Sequence, residues 1–587
     1  MAAMAWSSVL LGCVLLGGGT SSAFMQSTLL ASCARDGTEF CPRAVGIAQD
    51  AARRSSSRIR ARTREGSLCM KGGGGGNKPK GNKKGRGKAN PELEAALQKW
   101  EPVIGIEIHA QLSSSTKAYC SCSTLYSPDS PNTNVCPVCL GEPGSLPVPN
   151  ARVVELSAKA GMALDCNIAA ETKWDRKNYF YPDTPKNYQI TQYDRPIAEH
   201  GEIVLPSGKK VGVTRLHMEE DSAKMNHQGA ESLSGSTHSL IDFNRSGTPL
   251  AEIVSEPDMR AGIEAAEYGR ELQRVLRYLG VSDGNMAEGS MRLDVNISLR
   301  PKGETGLNTK VELKNLNSFR AVQESVDFEI VRQARCYEAD EVIRQETRLW
   351  DEKKKATQIM RIKEGEIADY RYFPEPDIPA LELPAELLQK WRSELCELPA
   401  GKRVRYQSEL GLSEGDASAL ADDQSVALYF EEAVAAGADP GEACKWLIGD
   451  IAGYLNSKKK GIREIGLKPA GLGELVSLIK ERKISGRIAK ELLPELLGGW
   501  EGGVGELVEE RGMQAINDPA EIEVFVRDVM KANADKVEQF RSGKTKLQGF
   551  FVGQAVALSG GKADPELTGE VAGRLLEDVE VETGSSP

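Results

Sequence analysis

The sequence predicts an α+β protein: an antiparallel β-sheet with flanking helices, followed by an all-α C-terminal third. Two observations predict this class. Several segments between residues 103 and 314 alternate apolar and polar residues with period two, which is typical of strands buried on one face. From Arg403 onward the apolar residues recur with a period of 3.6, which is typical of helices. One face of the sheet should therefore pack on helices while the other stays open.

The first predicted strand is Val103–Leu112, preceded by a predicted helix over Glu92–Trp100. Its isoleucines share one face, whereas Glu107 and His109 lie on the other. A carboxylate and an imidazole two residues apart can line a site. The alternative is an ordinary antiparallel strand whose polar face is solvated.

Four cysteines form two close pairs separated by thirteen residues: Cys120, Cys122, Cys136 and Cys139. Two thiol pairs joined by a loop match the ligand arrangement of tetrahedral Zn²⁺. A redox pair and unliganded thiols are the alternatives. A site closed by four thiolates leaves no open coordination position, so the zinc is expected to be structural.

The next segments comprise a helix, a loop and a hairpin. We predict a helix over Arg152–Leu164 and an irregular loop over Trp174–Ile190, whose dense mix of aromatic and polar residues suits either a binding surface or a packed loop. A hairpin is predicted from Glu202–Leu205 and Val211–Glu220. Strict alternation would put the odd-numbered residues from Val211 to Glu219 on one face of its second strand.

Two further segments repeat the two-faced pattern, Met291–Leu299 and Lys310–Lys314, and the segment Ala251–Asp258 adds further acids. A helix is predicted over Ile263–Leu279. An antiparallel sheet would collect Glu107, His109, Glu219 and Asp294 on one polar floor. Crowded carboxylates favour a hard cation such as Mg²⁺.

The same floor carries cations that could meet phosphates: Arg292, Lys310 and Lys314. Together these features predict phosphoryl transfer from ATP to an acid. A P-loop is not predicted, because the stretch that ends in Ser542-Gly543-Lys544-Thr545 has Glu538 where the first glycine is required.

The charge is unevenly distributed. Residues 1–90 hold 15 Lys and Arg against 4 Asp and Glu, a net charge of +11, which leaves −21 for the remainder.

Met1–Phe24 is typical of a signal peptide, and the Arg- and Ser-rich segment after it is typical of a transit peptide. Such a bipartite leader resembles those of proteins sent to complex plastids. We expect a location in the chloroplast stroma, with the mitochondrion as the alternative; a secreted protein with a basic pro-segment is a further reading. No membrane span is expected.

Seven motifs resemble the B subunit of the glutamyl-tRNA(Gln)/aspartyl-tRNA(Asn) amidotransferase: Val103–Leu112, Asn132–Gly141, Arg176–Asp183, Leu216–Asp221, Leu250–Pro257, Leu313–Arg320 and Asp369–Pro376. The resemblance covers roughly Trp100 to Leu576. It implies a cradle-like antiparallel catalytic domain, a helical domain and a small helical tail domain. It also implies that ATP phosphorylates the side-chain carboxylate of glutamate misacylated onto tRNA(Gln), after which ammonia displaces the phosphate. Asp-tRNA(Asn) is a further substrate in the family.

Matching the motifs residue by residue implies a set of site residues. The catalytic candidates are Glu107, His109, Glu219, Glu220, Glu252 and Asp294, and the Mg²⁺ candidates among them are Glu107, His109, Glu219 and Glu252. Whether Glu219 or Glu220 faces the metal depends on strand register. The Cys120, Cys122, Cys136 and Cys139 cluster matches family members that keep zinc.

The source of ammonia has to lie outside this chain, because the sequence shows neither an amidase-type Ser-Lys signature nor a Cys-His glutaminase pair. The resemblance implies a heterotrimer with a glutamine-hydrolysing A subunit and a small C subunit. Two alternatives are a tRNA-binding scaffold without its own activity and a stand-alone ligase that uses free ammonia.

The predicted domain limits are 1–90 for the leader and linker, 91–378 for the catalytic domain with its zinc knuckle, 379–402 for a Pro-rich linker, 403–470 for the helical domain and 471–587 for the tail. The helical part has two basic patches: Lys458–Lys460, Arg463 and Lys468 in one, and Arg482, Lys483, Arg487 and Lys490 in the other. They are either solvated helix faces or contacts to tRNA phosphates.

Overall fold

The structure is a computed structural model that describes residues 90–125, 129–229, 235–362 and 370–577. Of the two units into which the chain divides, Met1–Glu65 and Gly66–Pro587, only the second contains described residues. The predicted leader and linker lie outside them except for Asn90, and so does Asp369 of the last motif. Among the described helices, none is both long and apolar enough to cross a bilayer.

The strands, in chain order, are β1 (Trp100–Gln111), β2 (Asn167–Ile168), β3 (Glu171–Thr172), β4 (Asp175–Asn178), β5 (Tyr188–Thr191), β6 (Ala198–Val204), β7 (Lys210–Glu220), β8 (Lys224–Gln228), β9 (His238–Asp242), β10 (Pro249–Ser255), β11 (Met291–Pro301), β12 (Val311–Lys314), β13 (Glu346–Asp351), β14 (Ala356–Ile362), β15 (Phe373–Pro374) and β16 (Leu381–Glu382).

The α-helices are α1 (Pro91–Lys99), α2 (Pro137–Leu140), α3 (Ala151–Ala163), α4 (Gly262–Tyr278), α5 (Phe319–Glu338), α6 (Ala385–Ser393), α7 (Pro399–Ser408), α8 (Glu414–Leu420), α9 (Gln424–Ala435), α10 (Pro440–Trp446), α11 (Ala452–Lys458), α12 (Pro469–Lys480), α13 (Gly486–Gly498), α14 (Val504–Glu510), α15 (Pro519–Ala532), α16 (Ala534–Arg541), α17 (Gln548–Leu558) and α18 (Pro565–Glu577). A π-helical turn, Leu447–Ile451, joins α10 to α11.

The main sheet has nine strands in the order β14-β13-β12-β11-β1-β10-β7-β6-β2, and each neighbouring pair is antiparallel except β12 and β13. The apolar residues of β1 and β11 are buried in one core with residues of α4 and α5. Alternation puts the other residues of these strands on the opposite face. The predicted α+β class, with its largely antiparallel sheet and helical C-terminal region, is confirmed.

Strand β7 departs from the predicted alternation at Thr214. Its register with β10 shifts where Arg215↔Val254 gives way to Val213↔Ser255, so that Thr214 is an extra residue. As a result, Val213 and Leu216 both lie in the core although they are three residues apart. The prediction that Val213 shares a face with His217 is therefore wrong, because a bulge separates them.

The segment Trp174–Ile190, predicted as irregular, contains β4 and the start of β5. These strands pair in the order β15-β4-β5 to form a small three-stranded sheet. Strand β4 has no apolar residue, and β5 has only four residues, so neither is long or apolar enough to show the alternation that reveals other strands.

Two further cores lie in the helical region. One contains buried residues from Tyr406 to Val508, and the other contains buried residues from Ile522 to Leu576. The predicted Pro-rich linker, 379–402, contains regular structure. In it β16 pairs with β3, and Trp391 of α6 is buried in the core that also contains the apolar residues of β1 and β11, here called the first core. The predicted domain limits remain predictions.

Replacing Ile106 by Ala should destabilise the catalytic part of the chain by about 2–5 kcal/mol, because the side chain is almost completely buried in β1 and its removal leaves a cavity. The urea midpoint of unfolding measures this effect. Ile359→Ala is the matched control: the same change in the exposed strand β14 of the same sheet should alter stability by less than about 0.5 kcal/mol. Equal losses in the two variants would contradict the assignment of faces.

Candidate catalytic cleft and zinc knuckle

The register of four neighbouring strands sets the polar residues in rows across the sheet. His109 on β1 lies opposite Arg292 on β11 and Glu252 on β10, and Glu252 in turn lies opposite His217 on β7. The next row pairs Glu107 with Asp294. Residues far apart in the chain thus become direct neighbours.

The first acid group comprises His109, Glu219 and Glu252, whose ligand atoms all lie within 4.8 Å of one another. The Nε2 atoms of His109 and His217 each lie 3.2 Å from Oε2 of Glu252. Oxygens of Glu219 lie 3.8 Å from His109 Nε2 and 3.5 Å from His217 Nε2. Two carboxylates and two imidazoles therefore surround one small volume.

Charge within this group is strongly coupled. Burial disfavours the charged imidazolium, but the carboxylates outweigh it, so the pKa of His109 is raised and that of His217 is raised to about 9. Burial also opposes ionisation of Glu252, yet His217 and His109 hold the pKa of its carboxyl well below the usual range. Burial opposes ionisation of Glu219 as well, but Lys177 lowers the pKa of its carboxyl. The environment thus favours the charged carboxylates, which can ligate a cation.

Three side chains of the small sheet hold Glu219 in place. Thr191 Oγ1 donates to Glu219 Oε1 at 2.8 Å, Gln189 Nε2 donates to Oε2 at 3.1 Å, and Lys177 Nζ lies 3.3 Å from Oε1. The sequence interpretation did not single out these three residues for the site, because β4 and β5 were not recognised as strands.

Glu220 faces a different environment. Its carboxylate accepts hydrogen bonds from Lys186 and from the backbone N–H of Ile190. Between the two adjacent acids, the structure thus brings Glu219, and not Glu220, into the first acid group.

The second acid group comprises Glu107, Asp294 and Glu312. The sequence interpretation places Glu107, His109, Glu219 and Asp294 together on one polar floor. In the structure Glu107 and Asp294 form a separate group from His109 and Glu219, and Glu312, which the sequence interpretation does not name, joins them. The sequence contains a signal for Glu312, because it alternates with Val311 and Leu313 and so lies on the same face as Lys310 and Lys314.

Each carboxylate of the second acid group has a donor: Asn296 Nδ2 lies 3.1 Å from Glu107, Thr347 Oγ1 lies 2.6 Å from Glu312, and Lys314 donates to Asp294. Burial and then the neighbouring carboxylates, led by Glu252, raise the pKa of Glu107. A divalent cation would relieve this repulsion, and carboxylate oxygens suit Mg²⁺.

A cleft of about 590 Å³ opens over both groups. His109, Glu219 and Asp294 line it, together with the cations Arg292 and Lys314. Arg292 is paired with Asp221, whose Oδ1 lies 2.9 Å from Nη2. Lys310 is exposed and lies outside this lining.

The four predicted zinc ligands also converge. The Sγ atoms of Cys120, Cys122, Cys136 and Cys139 lie within 4.8 Å of one another. The hydrogen bond between Cys120 and Cys139 lowers the pKa of the Cys139 thiol and raises that of the Cys120 thiol, so it favours the thiolate that zinc binds at Cys139 only. The donor set therefore fits a closed structural zinc site.

The loop that carries these cysteines, here called the knuckle, packs beside the cleft. Asn134 N donates to Asn244 Oδ1 at 2.8 Å, and Ala118 N donates to the carbonyl of Gly247 at 2.9 Å. Gly247 N bonds the carbonyl of Asp221, the partner of Arg292. The knuckle thus braces one wall of the cleft.

Both the sheet-containing part and the helical part of the chain match known protein families. Residues 102–389 match the GatB/GatE catalytic domain, and residues 428–576 match the GatB domain. The chain is 56% identical over 485 residues to the B subunit of the aspartyl/glutamyl-tRNA(Asn/Gln) amidotransferase of Synechococcus elongatus, a match that covers 81% of this chain and 98% of that protein. It is 56% identical over 493 residues to the corresponding protein of Thermosynechococcus vestitus, covering 82% and 98%. The chain therefore belongs to the GatB family, the B subunits of aspartyl/glutamyl-tRNA(Asn/Gln) amidotransferases.

Proposed function

We propose that this chain is the B subunit of an amidotransferase that converts Glu-tRNA(Gln) to Gln-tRNA(Gln) at the expense of ATP. The observation that carries the proposal is the pair of acid groups on the floor of one cleft, with cations beside them. The names of the relatives support the substrate class. Asp-tRNA(Asn) is an additional substrate where the compartment makes it.

The proposed reaction has two steps. A side-chain carboxylate oxygen of the tRNA-bound glutamate attacks the γ-phosphorus of ATP and releases ADP. Ammonia then attacks the acyl carbon, and phosphate leaves with that oxygen. Arg292 and Lys314 would orient the phosphates, since both are cations at the cleft surface.

Mg²⁺ is the metal we propose for the acid groups. His109, Glu219 and Glu252 would hold one ion, and Glu107, Asp294 and Glu312 another, because the ligand atoms of each set lie within 4.8 Å of one another and most of them are carboxylate oxygens. Bound there, Mg²⁺ would offset the charge that accumulates on the phosphoryl oxygens. Lys177 and Thr347 would hold the carboxylates in ligand geometry. Zn²⁺ in the knuckle would be structural.

The proposed assembly is a heterotrimer. An A subunit would supply ammonia from glutamine, and a small C subunit would support the pair. The exposed patches around Lys459 and Lys483 would contact tRNA phosphates. We also propose that the leader directs the protein to the plastid.

The experiment is reconstitution with the A and C partners, ATP, Mg²⁺, Glu-tRNA(Gln) and glutamine, with formation of Gln-tRNA(Gln) as the readout. The wild-type complex is expected to form product. His109→Ala should abolish ATP-dependent amidation while leaving tRNA affinity unchanged, because His109 belongs to the first acid group and to neither basic patch. Wild-type turnover in this variant would contradict the site assignment. Product formed from glutamine without the A subunit would contradict the assignment of ammonia supply to that subunit.

A further inference from the structure

Four tyrosines form a connected cluster beside the cleft, here called the tyrosine wall: Tyr179, Tyr193, Tyr370 and Tyr372. The rings of Tyr193 and Tyr372 are stacked, with centroids 4.1 Å apart and planes 10° apart. Tyr370 lies edge-on to both Tyr372, at 5.9 Å, and Tyr179, at 6.3 Å. The proposed chemistry uses none of these rings.

The tyrosine wall is not part of the hydrophobic core. None of its members belongs to the first core cluster, and Tyr193 is half-exposed. An aromatic cluster that only filled space would be buried. Tyr179, Tyr370 and Tyr372 are partly buried. Stacked tyrosines that reach the surface in this way are a common platform for nucleic-acid bases, because every base has a flat π-face.

One side chain links the wall to the first acid group. Lys177 Nζ lies 3.3 Å from Glu219 Oε1 and 5.2 Å from the ring centroid of Tyr370. Lys177 and Tyr179 both line the cleft. The guanidinium carbon of Arg215 lies 5.9 Å from the ring of Tyr193 and adds positive charge at the wall's other end.

The substrate's chemistry requires a base near this position. Glutamate is esterified to the ribose of the 3′-terminal nucleotide, so when its carboxylate is at the acid groups, the terminal base lies one amino acid and one ribose away. ATP offers an adenine as well. However, the cations suited to its phosphates, Arg292 and Lys314, lie on β11 and at the end of β12. The tyrosine wall adjoins Glu219 on β7, which β1 and β10 separate from β11. The wall is therefore better placed for the tRNA end than for the adenine of ATP.

We propose that the tyrosine wall stacks the unpaired 3′-terminal adenine of the charged tRNA. This proposal rests on the proposed function and assigns one subsite of its substrate. Single-stranded RNA ends are bound in this way, by stacking on aromatic side chains.

The test uses the complex with its A and C partners and tRNA ending in 2-aminopurine, whose fluorescence falls on stacking. Wild type is expected to quench the terminal base. The double variant Tyr193→Leu, Tyr372→Leu should lose the quench and raise KM for Glu-tRNA(Gln) about 5- to 100-fold, with KM for ATP unchanged. The double Phe variant keeps the rings and should restore both readouts.

Phe373→Leu is the matched control, because Phe373 follows Tyr372 and lies on the opposite face of the small sheet, near Arg176. It should quench as wild type does. Quenching of 2-aminopurine riboside triphosphate in place of the tRNA end would overturn the proposal, and so would an active wild-type complex without quenching. The fluorescence quench reports binding of the tRNA end and does not require turnover. A wild-type complex that quenches but makes no Gln-tRNA(Gln) would contradict the proposed function and leave the stacking proposal standing.

Discussion

Replacing Glu252 by Gln is expected to lower ATP-dependent amidation by about 10²–10³-fold, the loss typical when one charged group is removed from a preorganised site. Glu252 is the shared partner of His109 and His217, 3.2 Å from each Nε2 atom. Gln keeps the volume but removes the charge that metal ligation and both imidazoles require. Steady-state formation of Gln-tRNA(Gln) by the reconstituted complex measures the loss, and the Mg²⁺ dependence should shift to higher concentration.

The matched control for this change is Glu256→Gln. Glu256 follows the same strand but bonds Thr214, at the bulge of β7, with Oε1 2.8 Å from Oγ1. Activity should stay within a few-fold of wild type. If Glu252→Gln were as active as Glu256→Gln, the first acid group would not be the reaction centre.

Replacing Cys136 and Cys139 together by Ser should eliminate bound zinc, which elemental analysis of the wild type is expected to find at one ion per chain. Metal ligation contributes directly to folding free energy in structural zinc sites. The knuckle should then become sensitive to protease, and its contacts to Gly247 beside the cleft should weaken. Activity is expected to fall with the loss of this wall.

Cys336→Ser provides the control, because Cys336 lies on α5 and outside the cysteine cluster. This variant should keep its zinc and its activity. Full zinc content in the Cys136/Cys139 variant, or a wild-type protein that is active without metal at the cysteines, would contradict the structural zinc site.

Much of the sheet could be predicted because one face is apolar. Ile104, Ile106 and Ile108 alternate with polar residues, and burial of alternate positions specifies a strand and its faces. The convergence of the four cysteines could also be predicted, because two close thiol pairs joined by a loop are the arrangement that a tetrahedral zinc site requires.

The partnerships within the site could not be predicted, because they depend on register between distant strands. Glu312 meets Thr347 only through the parallel pairing of β12 and β13, which no local pattern encodes. Lys177 lies on a strand without an apolar residue, and Gln189 and Thr191 lie on a strand of only four residues, which is too short to show a period of two. The bulge at Thr214 shifts the alternation by one residue, and an unbroken period of two cannot reveal that shift.

The most direct test of carboxylate activation at this cleft follows an oxygen atom. Glu-tRNA(Gln) labelled with ¹⁸O in the side-chain carboxylate is incubated with the complex, ATP, Mg²⁺ and ammonium, so that glutamine hydrolysis is not needed. Phosphorylation of the carboxylate transfers one of its oxygens to the phosphate released on amidation. Phosphate that carries ¹⁸O in proportion to the Gln-tRNA(Gln) formed is the expected result; unlabelled phosphate alongside the same product would contradict it.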